Sequence, residues 1–180
     1  MVIKFVIADS GPLISLAKAD ALDLLLIFKE GIQIVLTDVV YHEVTSERDR
    51  FPDAAKIYQF LSKHPEIMVE NTTYGEAVLF KIRMDPGYEL PLDAGEVSIS
   101  SYDVHASKSI LIFEDKWFLD EGRFKSQTKL LSTKSFIQAA FDLNFISKDR
   151  HSNIIKLLKF EQRSELDFNQ DDDLETYFKP

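Results

Sequence analysis

The sequence predicts an α/β fold with a central parallel sheet, on three observations. Short, predominantly apolar runs occur at Val2 to Ala8, Ile32 to Leu36 and Ile110 to Phe113, as in strands buried on both faces of a parallel sheet. Between them lie stretches with apolar residues at helical spacing, so strands and helices alternate as crossover connections require. Two of the runs close on an acid, Asp9 and Asp115. This places carboxylates over the carboxyl edge of the sheet, where open α/β folds bind their ligands.

The elements follow in order. After the first strand, Ser10 is expected to cap a helix whose first turn holds Pro12, and Ala21 to Phe28 to continue it with leucines at helical spacing. The strand Ile32 to Leu36 leads into a helix-compatible stretch around Glu43. Phe51 to Lys63 reads as a helix with Ala54, Ile57, Tyr58 and Leu61 on one face, followed by a short strand near Ile67 to Val69. Residues 71 to 92 are insertion-like, with a helix at Glu76 to Met84 and a turn at Asp85-Pro86-Gly87. A helix from Asp93 to about Lys108 precedes the strand Ile110 to Phe113. Lys129 to Leu131 is the last strand and Lys134 to Leu143 the helix after it. The chain divides into a body, residues 1–146, and a C-terminal part, residues 147–180. In the latter, Asn153 to Phe160 is an amphipathic helix and the remainder is acidic and aromatic, with Phe168, Tyr177 and Phe178. That remainder fits disorder or packing against another chain, and helix and tail together are expected to pack on the same domain or on a partner.

Composition narrows the function. At 180 residues the chain suits one domain with a sizeable core. With no cysteine, disulfides and thiolate metal sites are excluded. No apolar run reaches the roughly 18 residues of a membrane span, and no basic flank marks a signal peptide. A cytoplasmic protein without a membrane partner is the expectation. Net charge is −9, the wrong sign for binding nucleic acid mainly through phosphates. Residues 161–180 hold seven acids against Arg163 and Lys179, so −5 of that charge lies there. Between Gly122 and Phe141, by contrast, Arg123, Lys125, Lys129 and Lys134 occur with no acid. With Lys116 they form a candidate path for an RNA backbone, although spaced bases of this kind are more often an ordinary solvated face.

Asp9, Glu43, Glu96 and Asp115 carry the chemistry. Carboxylates with no histidine or cysteine among them suit the hard cations Mg²⁺ or Mn²⁺, whose common partner is a phosphate oxygen. A strand-end acid also reads as a plain helix cap. Asp93 competes with Glu96, since either fits a helix start. Asp115 lies nineteen positions after Glu96, room for one helix, a turn and one strand. Asp93 then becomes the N-cap of a capping-box-like start.

The local sequence resembles the PIN-domain nucleases, and in particular a prokaryotic subgroup related to VapC-type toxins. The resemblance is carried by Val6-Ile7-Ala8-Asp9-Ser10-Gly11-Pro12-Leu13-Ile14, by Leu92-Asp93-Ala94-Gly95-Glu96 and by Ile110-Leu111-Ile112-Phe113-Glu114-Asp115-Lys116. Glu43, in Val39-Val40-Tyr41-His42-Glu43-Val44, matches the family's second acid, and the likeness spans roughly residues 2 to 146. Phe113 stands where the family often has Ser or Thr. The resemblance implies a PIN-like three-layer α/β/α fold and a Mg²⁺- or Mn²⁺-dependent ribonuclease acting on single-stranded RNA. Asp9, Glu96 and Asp115 would be metal ligands, Glu43 a water-mediated ligand or orienter of the attacking water, and Ser10, Asp93 and Glu114 supporting groups. It further implies a toxin checked by a small antitoxin protein, with a homodimer as a compatible assembly.

Two rivals belong to other classes. A PIN-like domain without catalysis would serve as an RNA-binding or assembly module. A phosphatase with an aspartyl nucleophile at its first strand usually has a second Asp two residues on, where this chain has Gly11. Receiver-like phosphoacceptor domains combine clustered acids with a lysine but lack the Leu-Asp-x-Gly-Glu element.

Overall fold

The computed structural model describes residues 3–103, 109–119, 128–160 and 174–179. Five strands form one all-parallel sheet: β1 (Ile3–Ile7), β2 (Ile32–Thr37), β3 (Met68–Glu70), β4 (Ser109–Phe113) and β5 (Thr128–Ser132), in the spatial order β3-β2-β1-β4-β5. The order reverses at β1. Chain growth runs outward through β2 to one edge and, after returning, through β4 to the other, so the β1/β4 boundary is the topological switch point.

Alternation along the central strands divides the core. Phe5, Ile7, Ile34, Leu36, Ile110, Ile112 and Leu131 pack into the larger cluster, while Val6, Ala8, Val35, Leu111, Phe113 and Leu130 face the other way. Both sets are buried, which is why the strands read as continuous apolar runs. On the larger side lie residues of α1 (Ser10–Lys18), α2 (Asp38–Thr45), α3 (Pro52–Lys63), α6 (Thr133–Asp142) and α7 (Lys148–Leu158). The smaller side is covered by α5 (Ala94–Asp103) through Ile99 and Tyr102, and by Phe118 of a short 3-10 helix, Lys116–Leu119. Helix, sheet and helix make the three layers of a PIN-like α/β/α fold.

Several expectations are corrected. Ser10 is the first residue of α1 rather than its cap; Asp9 holds the N-cap position but makes no capping bond with its side chain. The helix does not run on through Ala21, because Asp20 turns into the left-handed region at φ 53° and Leu22–Leu26 forms a separate 3-10 turn. β3 is shifted one residue, to Met68–Glu70, with Met68 and Val69 exposed. α4 (Thr73–Met84) starts three residues before Glu76, since Thr72 accepts a hydrogen bond from Gly75 N at 2.9 Å. α7 begins five residues before Asn153, where Ser147 caps Arg150 N at 3.2 Å. The expected continuation of α5 from 104 to 108 lies outside the described residues, as does Phe168.

The end of the chain, 174–179, folds onto the chain's own core. Leu174, Tyr177 and Phe178 are buried with Phe28 and Phe136, and Phe28 and Phe178 form an antiparallel bridge. No helix among the described residues is long and apolar enough to cross a membrane.

Candidate active site

The acids converge at the switch point. Asp9 follows β1, Glu114 and Asp115 follow β4, Glu43 stands on α2 and Glu96 in the first turn of α5. Asp9, Ser10, Glu43, Glu96, Glu114 and Asp115 line one cavity of about 320 Å³, together with Gly11 and Leu92. Asp93 precedes α5, where its carbonyl accepts from Val97 N at 3.0 Å, and its side chain is exposed and outside that lining.

Asp9 is the buried centre. Its Oδ2 accepts hydrogen bonds from the backbone N–H groups of Glu114 and Asp115, at 3.3 and 3.2 Å, which tie the end of β1 to the end of β4. Its Oδ1 is buried with no hydrogen-bond partner among the described residues. Burial pushes its pKa up to about 8, with the neighbouring charges of Glu114 and Glu96 adding to the rise and the two backbone N–H groups opposing it.

Two close approaches position the rest. A Cβ on Gly95 would lie 3.1 Å from Glu43 Oε2, so this glycine lets the start of α5 close on α2. Burial and the charge of Glu96 raise the pKa of Glu43 to about 7, opposed by the neighbouring Gly95 N–H and Ser10 hydroxyl. Glu96 is raised too, by burial and then by the charges of Asp115 and Asp93. A Cβ on Gly11 would lie 3.0 Å from the Cβ of Glu114. Ser15, one turn along α1, donates to Glu114 Oε2 at 3.0 Å. Asp115 is exposed, and its Oδ1 accepts from Trp117 N at 2.8 Å at the start of the 3-10 turn.

The oxygen-only donor set and the unpartnered Asp9 Oδ1 fit a hard divalent cation. Among the described residues no three of these acids close to ligating distance on their own. Mutually repelling carboxylates stand apart around the cavity in this way.

Sequence reasoning missed Ser15, Gly95 and Leu92. The contacts of Ser15 and Gly95 are non-local, though the Gly-Glu step already hinted at Gly95. It also passed over Asp38, the strand-end acid of β2. Asp38 turns away, accepting from Val39 N, Thr72 N and Thr72 Oγ1, into a separate cavity with Asn71, Glu76 and Arg83. Of the basic residues, Arg123 and Lys125 lie outside the described residues. Lys129 pairs in register with Ile110, well below the carboxyl edge, whereas Lys116 begins the 3-10 turn and Lys134 is the second residue of α6, both at that edge. None of the three lines the acid cavity.

A family model described as DUF3368: PIN domain matches residues 5–117, a span holding all four principal acids. The chain belongs to the PIN-domain family. PIN domains are generally nucleases and generally use divalent metals, which agrees with an acid-lined cavity at the switch point of a parallel sheet. No curated protein and no solved structure matches the chain.

Proposed function

We propose that this PIN domain is a Mg²⁺- or Mn²⁺-dependent endoribonuclease that hydrolyses phosphodiester bonds of single-stranded RNA. The observation that supports it best is the convergence of Asp9, Glu43, Glu96 and Asp115, from four separate elements, on one cavity where Asp9 Oδ1 is buried and unpartnered. Asp9, Glu96 and Asp115 would hold the cation. A cation so held stabilises developing charge on phosphate oxygens and lowers the pKa of a bound water. Glu43, kept in place by Gly95 and Ser10, orients the attacking water; with its pKa near 7 it can accept that water's proton at a carboxylate oxygen. Ser15 holds Glu114, and Glu114 in turn fixes the backbone that binds Asp9. Lys116 and Lys134, with Arg123, Lys125 and Lys129, would guide the RNA backbone.

The VapC-like motifs support a toxin role, with a small antitoxin as inhibitor, a homodimer as assembly and the cytoplasm as setting. Residues 1–146 would form the nuclease unit and 147–180 its C-terminal addition. The test is cleavage of single-stranded RNA by purified protein: cleavage with Mg²⁺ or Mn²⁺, none with EDTA, and none by Asp9→Asn. Metal-loaded protein that leaves varied RNAs uncut would instead favour a catalytically inactive RNA-binding or assembly module. That second reading has Phe113, where the family often has Ser or Thr, in its favour, and the net charge of −9 favours an assembly module in particular.

A further inference from the structure

A further cavity, of about 310 Å³, opens between α1, α2 and α3. Ile14, Val44, Ala54 and Ile57 line it, with the ring of Phe51, which is 47% exposed, also in the lining. Glu43 lines both this cavity and that of the acids. A group held at the acids therefore has, one side chain away, an apolar slot for whatever is covalently attached to it. For a phosphodiester that attachment is a nucleoside.

The lining of the slot also selects. Glu43 is joined there by Glu47 and Asp53, against Lys18 as the cation. Glu47 is shared with Arg50 at 3.4 Å. Asp53 lies in the first turn of α3, directly before Ala54. An apolar slot lined with acceptors suits a flat ring whose edge carries N–H donors. Cytosine and adenine present an exocyclic amino group that a carboxylate can accept from, whereas uracil presents a carbonyl oxygen at the same place. An acceptor facing an acceptor leaves both unpaired on desolvation.

We propose that this cavity is a nucleobase subsite, taking the base beside the phosphodiester held at the acids and preferring cytosine or adenine to uracil. It rests on the reading of the acid cavity as a phosphodiester site. Lys18 is then placed to meet the adjoining backbone, and Phe51 to pack on the base face.

Methyl NMR of the full chain, titrated with cytidine and with uridine, tests the subsite without calling on Asp9, Glu96 or Asp115. Saturable shifts are expected at the methyls of Ile14, Val44 and Ile57, with cytidine bound about tenfold more tightly than uridine. Ala54→Met, which fills the slot from α3, should remove the shifts. Asp53→Asn, which keeps the volume, should narrow the preference. No saturable shift, equal affinity for the two nucleosides, or shifts caused only by an arginine-rich apolar peptide would overturn the subsite. RNA cleavage assayed in parallel separates the two readings: shifts with no cleavage refute the nuclease, and cleavage with no shifts refutes the subsite.

Discussion

Asp9 is buried among other acids, and the fold tolerates this by favouring its protonated form. A carboxyl whose pKa rises from its ordinary 3.8 to about 8 on folding binds its proton more tightly folded than unfolded. Stability is then full below the unfolded pKa and is lost as pH rises toward 8, because over that interval only the folded state keeps the proton. Glu43 adds to the same slope between 4.5 and about 7. Metal-free protein should therefore melt at a higher temperature at pH 5 than at pH 7.5, and Asp9→Asn should remove about half of that difference, Glu43 supplying most of the rest; equal slopes in the two proteins would mean that Asp9 is solvated. A companion experiment concerns Glu96 and Asp93. Glu96 lines the cavity and Asp93 does not, so Glu96→Gln should abolish cleavage with little change in melting of the metal-free protein. Asp93→Ala should retain activity and cost no more than the roughly 1 kcal/mol of a lost cap. The reverse pair of phenotypes would make Asp93 the ligand. At this scale Asp9 and Asp115 were legible because each follows an apolar run, and Glu43 and Glu96 through the motifs around them. Ser15 was not, because its partner Glu114 lies almost a hundred residues away in sequence.

Elements also join away from this site, through close approaches that composition hides. α4 meets the end of β2 where a Cβ on Gly75 would lie 2.1 Å from Asp38 Oδ1. That carboxylate is held by Val39 N and by both donors of Thr72, so it cannot swing aside freely. Alanine is favoured over glycine within a helix by roughly 1 kcal/mol, but overpacking costs about 1–3 kcal/mol. The collision should win. Gly75→Ala is expected to lower stability, and Asp38→Ala in the same chain to recover part of the loss, a coupling that denaturant melts of the four proteins in the cycle would measure. Additive effects would show that α4 stands off from Asp38. The strands and most helices were readable because burial on both faces leaves continuous apolar runs. Boundaries failed where a side-chain cap decided them: Thr72 and Ser147 start α4 and α7 earlier than the apolar pattern does. The break after α1 depends on the left-handed backbone of Asp20, a non-glycine residue that gives no such signal in sequence.

Across the whole molecule, the last described residues complete the core begun by the first strand. Phe178, only 4% exposed, stacks on Phe28 at 5.2 Å between ring centroids and lies 6.2 and 5.8 Å from the rings of Phe136 and Phe145. Phe28 in turn packs on Phe5 of β1 at 4.2 Å. Backbone bonds fasten the segment on both sides, from Lys29 N to the Tyr177 carbonyl at 3.0 Å and from Lys179 N to the Ile27 carbonyl at 2.9 Å. The sequence left this open among packing on the same domain, packing on a partner and disorder, since an acidic stretch with a few aromatics reads alike whether it is free or docked on distant rings. Truncating a buried phenylalanine to alanine costs about 3–5 kcal/mol. In a chain of this size that lowers the melting temperature by roughly 10 °C. Phe178→Ala should therefore melt well below the parent, and Phe178→Leu should fall between them. Phe5 lies near the start of β1 and Asp9 just past its end, so the cluster supports the strand without touching the acids. Cleavage per folded molecule, assayed well below the lowered melting temperature, should match the parent. An unchanged melt would show that the segment is undocked in solution, and a loss of cleavage at full folding would show that it acts on the site itself.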